Sequence, residues 1–169
     1  MWNDTDIPLA YLITFRTYGS WLHGDPRGSV SRHKNTYGSA KLRHERNWLE
    51  TNTSRLKDEP VILTGTQRQC VKRSNRETCE IRKWDLLAVS IRTNHGHAVV
   101  AAGIKLPGTV LNALKANATR ALREQGLWTL NHSPWVDKGS TRYLWNENSV
   151  GNACAYVEYE QGDVLPDFD

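Results

Sequence analysis

The stretch Trp84 to Gly103, "WDLLAVSIRTNHGHAVVAAG", decides the reading of the fold. It holds two β-rich runs, "WDLLAVSIRT" and "HGHAVVAAG", with little more than Asn94 between them. Strand-like runs so closely joined predict an antiparallel hairpin. His95 and His97 open the second run, directly ahead of the apolar residues Ala98 to Ala102. Residues two apart in a strand point to one face, so both imidazoles are expected side by side on a sheet that buries its opposite face. Neutral imidazoles are good ligands for divalent transition metals, and a strand holds such a pair rigidly. A catalytic metal also needs a third protein donor and open positions for substrate, so two histidines make half a site. Taken alone the pair is a weak signal, because surface and core histidines give the same pattern.

Outward from the hairpin, each neighbouring segment carries a period. Upstream, Pro8 to Trp21, "PLAYLITFRTYGSW", alternates partially (Leu12, Thr14, Arg16 against Ile13, Phe15, Thr17) and predicts a first strand. Thr66 to Lys83 predicts a helix, with Thr64 or Thr66 available as its cap. Downstream, Pro107 suits a first helical turn, and Val110, Leu111, Leu114, Ala118, Ala121 and Leu122 follow at helical spacing up to Gly126. "STRYLWN" predicts a last strand and Asn148 to Gln161 a last helix, closed by Gly162. Between the first strand and first helix, "HGDPRGSVSRHKNTYGS" has the residue density of turns, and the polar stretch to Pro60 has no sustained period. This segment, about 22–60, is expected to be an insertion, with a short helix around Ala40 to Leu49. Without the insertion and the last helix the order is βαββαβ. The expected class is therefore α+β, a ferredoxin-like antiparallel sheet with an insertion after its first strand and an added C-terminal helix. Such a fold does not itself name a function.

Composition bounds the partners. A chain of 169 residues is the size of one ordinary domain, so 1–169 is expected to be a single unit. The net charge is +4 and the isoelectric point about 9.1. From Arg27 to Lys57 eight Lys or Arg face only two acids, Glu45 and Glu50, and Trp21, Tyr37 and Trp48 lie in or beside the block. Cations interleaved with aromatic faces suit a polyanion with unpaired bases, although a solvated loop has the same composition. Cys70, Cys79 and Cys154 are scattered with no CxxC spacing, so neither a disulfide framework nor a zinc cluster is expected. No apolar run approaches membrane-spanning length, and "MWNDTDIP" lacks the head and core of a signal peptide, which together predict a soluble, cytoplasmic protein.

On the last helix Val150, Ala153, Cys154 and Val157 define a buried stripe, and Tyr156 lies off its centre. By itself such a tyrosine packs its ring and wets its hydroxyl. The ordered set of segments says more. "YLITFRTYGSWL", "NHGH" with "AVV", "LKANATRAL", "GSTRYLW" and "YVEYEQG" span nearly the whole chain, and with them it resembles the single-tyrosine HUH transposases (His, hydrophobic residue, His) of bacterial insertion sequences, including their REP-associated relatives. The resemblance implies a nuclease domain that cuts single-stranded DNA beside a folded hairpin, with a divalent metal, Mg²⁺ or Mn²⁺, and a tyrosine nucleophile. It implies His95 and His97 as metal ligands and Tyr156 as the residue that forms a 5′-phosphotyrosine ester. It also implies a homodimer as one state of assembly.

Two positions depart from the family pattern. Gly96 stands where a bulky apolar residue is usual, which weakens core packing and lets another backbone approach closely. The family's third ligand is a Gln one turn after the tyrosine, whereas here Glu160 is at that spacing and Gln161 one step later. On an ideal helix Glu160 lies about 40° around from Tyr156 and Gln161 roughly 140°. Geometry favours Glu160; the resemblance, with Gly162 ending the helix, favours Gln161. These departures keep open a non-catalytic module of the same fold that only binds single-stranded nucleic acid, and a water-using metallohydrolase in which Tyr156 is structural. Lys115, Thr119 and Arg123 form a polar helix stripe that reads as a solvated face or a DNA contact, while Arg92 and Arg142 are placed to approach a phosphate.

Overall fold

The computed structural model describes residues 6–20 and 58–165. The helix expected at Ala40 to Leu49, and all but the end of the basic insertion, lie outside the described residues. The chain divides into two units, 1–17 with 62–169, and 18–61. Within the second, the Val61 amide donates to the Tyr18 carbonyl at 2.8 Å. The first unit carries every described helix and strand.

Its elements run β1 (Ala10–Arg16), α1 (Gly65–Arg82), β2 (Asp85–Ile91), β3 (His95–Ala101), α2 (Pro107–Glu124), β4 (Ser140–Leu144) and α3 (Glu147–Tyr159). The four strands form one sheet in the order β2-β3-β1-β4, antiparallel throughout. The expected α+β class and βαββαβ order are observed, with α3 added at the end. Local chemistry explains the boundaries. Thr64, not Thr66, starts α1 through a reciprocal cap: its hydroxyl accepts from the Gln67 amide at 3.2 Å, and the Gln67 side-chain oxygen accepts from the Thr64 amide at 2.9 Å. The hairpin closes through residues 92–94, where the Arg92 amide donates to the His95 carbonyl at 2.8 Å. Its register shifts between Leu86 and Ala88, a bulge near the start of the edge strand β2.

The two faces of the sheet are covered differently. Tyr11, Ile13 and Phe15 of β1 lie across from Val100, Ala98 and Gly96 of β3, and this face carries α1 and α2. On the opposite face Ala10, Ala88, Val99 and Leu144 meet Ala153 and Val157 of α3 in a second core cluster. The histidine face is therefore not left open. The added helix covers it, and β3 is buried along both sides. No helix among the described residues is long and apolar enough to cross a membrane.

Gly96 has a clear structural cause. A Cβ built there would stand 2.5 Å from Phe15 Cζ and 3.0 Å from Ile91 Cδ1. What comes close is a cross-strand aromatic ring rather than another backbone, and the ring fills the place a side chain would take. Phe15 is fully buried and packs edge-on against Trp135, at 5.1 Å between ring centroids, so it has no easy retreat. Gly96→Ala is accordingly expected to lower unfolding free energy by about 1–3 kcal/mol, read from urea denaturation midpoints. The same change should cost less in a Phe15→Leu background, a coupling that independent sites would not show.

The polar stripe of α2 turns out to be a fastening. Lys115 Nζ donates to the carbonyls of Val136, at 2.8 Å, and Lys138, at 2.6 Å. The Trp135 indole donates to the Thr119 hydroxyl at 3.0 Å. These bonds hold the loop before β4 onto the helix, so Lys115 and Thr119 are neither a solvated face nor free to grip DNA.

Candidate active site

Strand parity and cross-strand register place the site. Thr14 and Arg16 of β1 lie opposite His97 and His95 of β3, all four on the α3 face. The two imidazole rings are 4.9 Å apart between centroids, and the Tyr156 ring of α3 stands 5.3 Å from that of His97. The structure thus brings His95, His97, Tyr156 and Gln161 together. Glu160 is exposed, and its amide caps α3 by donating to the Tyr156 carbonyl at 3.2 Å.

Gln161 arrives because the helix stops before it. α3 ends at Tyr159, Glu160 takes a non-helical conformation, and Gly162 adopts φ 89°, a left-handed turn that favours glycine. Past that stop the ideal-helix angle no longer applies. The Gln161 amide nitrogen donates to the Tyr156 carbonyl at 3.0 Å, which turns its oxygen toward His95 Nε2, 3.2 Å away. Arg92 supports this segment by donating to the Asp163 carbonyl at 2.7 Å.

The ring nitrogens define what the site can hold. His95 Nδ1 lies 2.7 Å from the Asn94 amide oxygen, which can only accept, as can the Gln161 oxygen at Nε2, so the single N–H of a neutral ring can serve one of them, and the shorter contact favours Nδ1. Nε2 then presents a lone pair to the Gln161 oxygen, another acceptor. Two acceptors face each other stably only with a proton or a cation between them. His97 Nδ1 lies 2.7 Å from the Thr14 hydroxyl, while its buried Nε2 has no hydrogen-bond partner. An orphaned ring nitrogen beside opposed acceptors fits a cation. Among the described residues no cluster of three His, Cys, Asp or Glu could hold a metal, and the further donor that faces His95 is the Gln161 amide oxygen.

His97 resists protonation. Its pKa is pushed down to about 4, first by burial and then by the neighbouring His95 and Arg16, with the nearby Gln161 side chain acting the other way. The neutral, ligating form is thereby kept well into the acid range. In the metal-free protein a depressed histidine contributes fully above its unfolded value of about 6.5, and its contribution is lost as pH falls toward 4. Wild type should therefore lose about 3 kcal/mol relative to His97→Gln over that window. Paired denaturation curves across pH check it; parallel profiles would contradict the burial of a neutral ring.

Thr14, Asn94 and Arg16 were not singled out by sequence reasoning. Thr14 and Asn94 orient the two rings, and Arg16 brings positive charge beside them. Arg16 and Thr14 are in the alternation of the first strand, but only the register shows what they oppose. Arg142 pairs with Leu12 on the same face and is exposed. Tyr159 points away, 80% exposed against 38% for Tyr156.

No family model matches the chain, and no curated protein does. Four chains of solved structure match. One is a candidate transposase from Deinococcus radiodurans R1, to which the chain is similar at 11% identity, over 95% of its own length and 97% of the other's, with a TM-score of 0.44.

Proposed function

We propose that the chain is a transposase: a metal-dependent endonuclease and strand transferase for single-stranded, hairpin-forming DNA that works through a 5′-phosphotyrosine intermediate. The observation that carries this reading is the convergence of the unpartnered His97 Nε2, the opposed His95 Nε2 and Gln161 oxygen, and the half-exposed Tyr156 beside them. His95, His97 and Gln161 would hold Mg²⁺ or Mn²⁺. All three donors are neutral, so a bound cation keeps its full charge to polarise an anionic phosphate.

The chain's own residues supply the rest. Thr14 and Asn94 fix the ring orientations, and Arg16 and Arg142 add positive charge on the face where the phosphate would lie. Tyr156 presents its hydroxyl from a helix whose neighbours Ala153 and Val157 are locked in the core, so the nucleophile is positioned rather than wandering. Its oxygen bonds to phosphorus, the bond from phosphorus to the 3′-oxygen breaks, and that oxygen leaves with a proton as a 3′-hydroxyl. The phosphotyrosine ester conserves the energy of the cut bond, so a 3′-hydroxyl can reseal it. Two observations support catalysis over a binding module: Phe15 fills the space over Gly96, and Gln161 reaches His95.

The test is incubation with end-labelled hairpin DNA and Mn²⁺, resolved on a denaturing gel. A band of covalent protein–DNA adduct is expected. Cleavage without any adduct would favour the water-using hydrolase, and binding without cleavage the module.

A further inference from the structure

Beside the site a large groove runs along the edge strand. Its volume is about 1060 Å³, and it is lined by one face of α1, the length of β2, and the segment from Val157 to Leu165. Arg68, Lys72 and Arg76 line it at every fourth residue of α1. Such spacing keeps them on one side of the helix, separated by roughly 6 Å per step. That step is comparable to the separation of successive phosphates along a nucleic-acid strand, and three cations over two steps exceed the reach of one small anion.

The charge along the groove is graded. α1 and β2 are consecutive and antiparallel, joined through Lys83 and Trp84, so the acids Glu80 and Asp85 line the end where helix turns into strand. Arg68 and Lys72 line the other end, with Arg92, Gln161 and Gly162 and a single acid, Glu158, so three cations there face one carboxylate. The cationic end therefore opens onto the candidate active site, and Gln161 borders both. Arg68 is steadied by donating to the Leu63 carbonyl at 3.0 Å.

We infer that this groove carries the single strand that flanks the hairpin, its phosphates lying on Arg68, Lys72 and Arg76 as the strand leads to the site. The inference rests on the proposed reading of the chain as a DNA strand transferase. It adds a track for the substrate made by α1, a helix that contributes nothing to the chemistry.

The experiment uses the full chain in EDTA, so that no cutting occurs, and fluorescence anisotropy of dye-labelled hairpins with and without a single-stranded flank. For the flanked DNA, Lys72→Gln/Arg76→Gln should make the slope of log K against log salt shallower by about 1.4, from roughly 0.7 per phosphate contact. Affinity at low salt should fall about tenfold, or two contacts' share. The unflanked hairpin should bind both proteins alike, and Arg120→Gln, a cation outside the groove, should match wild type. Unchanged slope and affinity on flanked DNA, in a double variant whose parent cuts DNA normally, overturn the groove and leave the transposase reading intact. An equal loss on flanked and unflanked DNA also overturns it, since the contacts would then be with the hairpin. If wild type neither binds nor cuts any hairpin, the transposase reading itself has failed and the groove falls with it.

Discussion

Tyr156→Phe is expected to abolish cleavage and the covalent adduct together, by about 10⁴-fold or more in rate, as removal of a nucleophile does. Phenylalanine keeps the ring and its 5.3 Å contact with His97 while deleting the one atom able to attack phosphorus. Folding, Mn²⁺ affinity and hairpin affinity should therefore stay close to wild type, which separates lost chemistry from lost structure. Tyr159→Phe, at an 80% exposed position on the same helix, should still form the adduct. Persistence of the adduct in Tyr156→Phe, with its disappearance in Tyr159→Phe, would show the wrong tyrosine to have been chosen.

The second large effect concerns the metal. His97→Ala removes the orphaned donor and should weaken Mn²⁺ binding, measured by calorimetric titration at neutral pH, by more than about 100-fold. Outer partners of a ligating histidine are worth about 10–100-fold, so a ligand should exceed that range and Thr14→Val should fall within it. Thr14 touches only the far nitrogen of the ring, at 2.7 Å, and acts as a positioning residue. Gln161→Ala should weaken binding while Glu160→Ala should not, because only Gln161 faces His95. Equal affinity in wild type and His97→Ala would remove the metal site.

Much of this architecture could be read from periodicity. The hairpin, the capped α1, the Pro-started α2 and α3 each announce themselves through local spacing, and parity alone set His95 and His97 on one face. What local spacing cannot supply is register between distant segments. Thr14 meets His97 across 83 residues of chain, and Gln161 meets His95 across 66. Gly96 reads as a weakness until Phe15, its partner across the strands, is placed over it. The α2 stripe reads as solvated because nothing near Lys115 in sequence shows that residues 135–138 will fold back onto it. Gln161 was ambiguous for a different reason: a helical wheel describes only residues still in the helix, and α3 ends two residues earlier.

The most direct measurement is the identity of the residue that becomes attached to DNA. Wild-type protein trapped on a hairpin substrate with Mn²⁺, digested with protease and nuclease and examined by mass spectrometry, should yield one peptide carrying a nucleotide mass, with the modification on Tyr156. A nucleotide found on Tyr159 or on any other side chain, or efficient cutting with no modified peptide at all, would contradict the account.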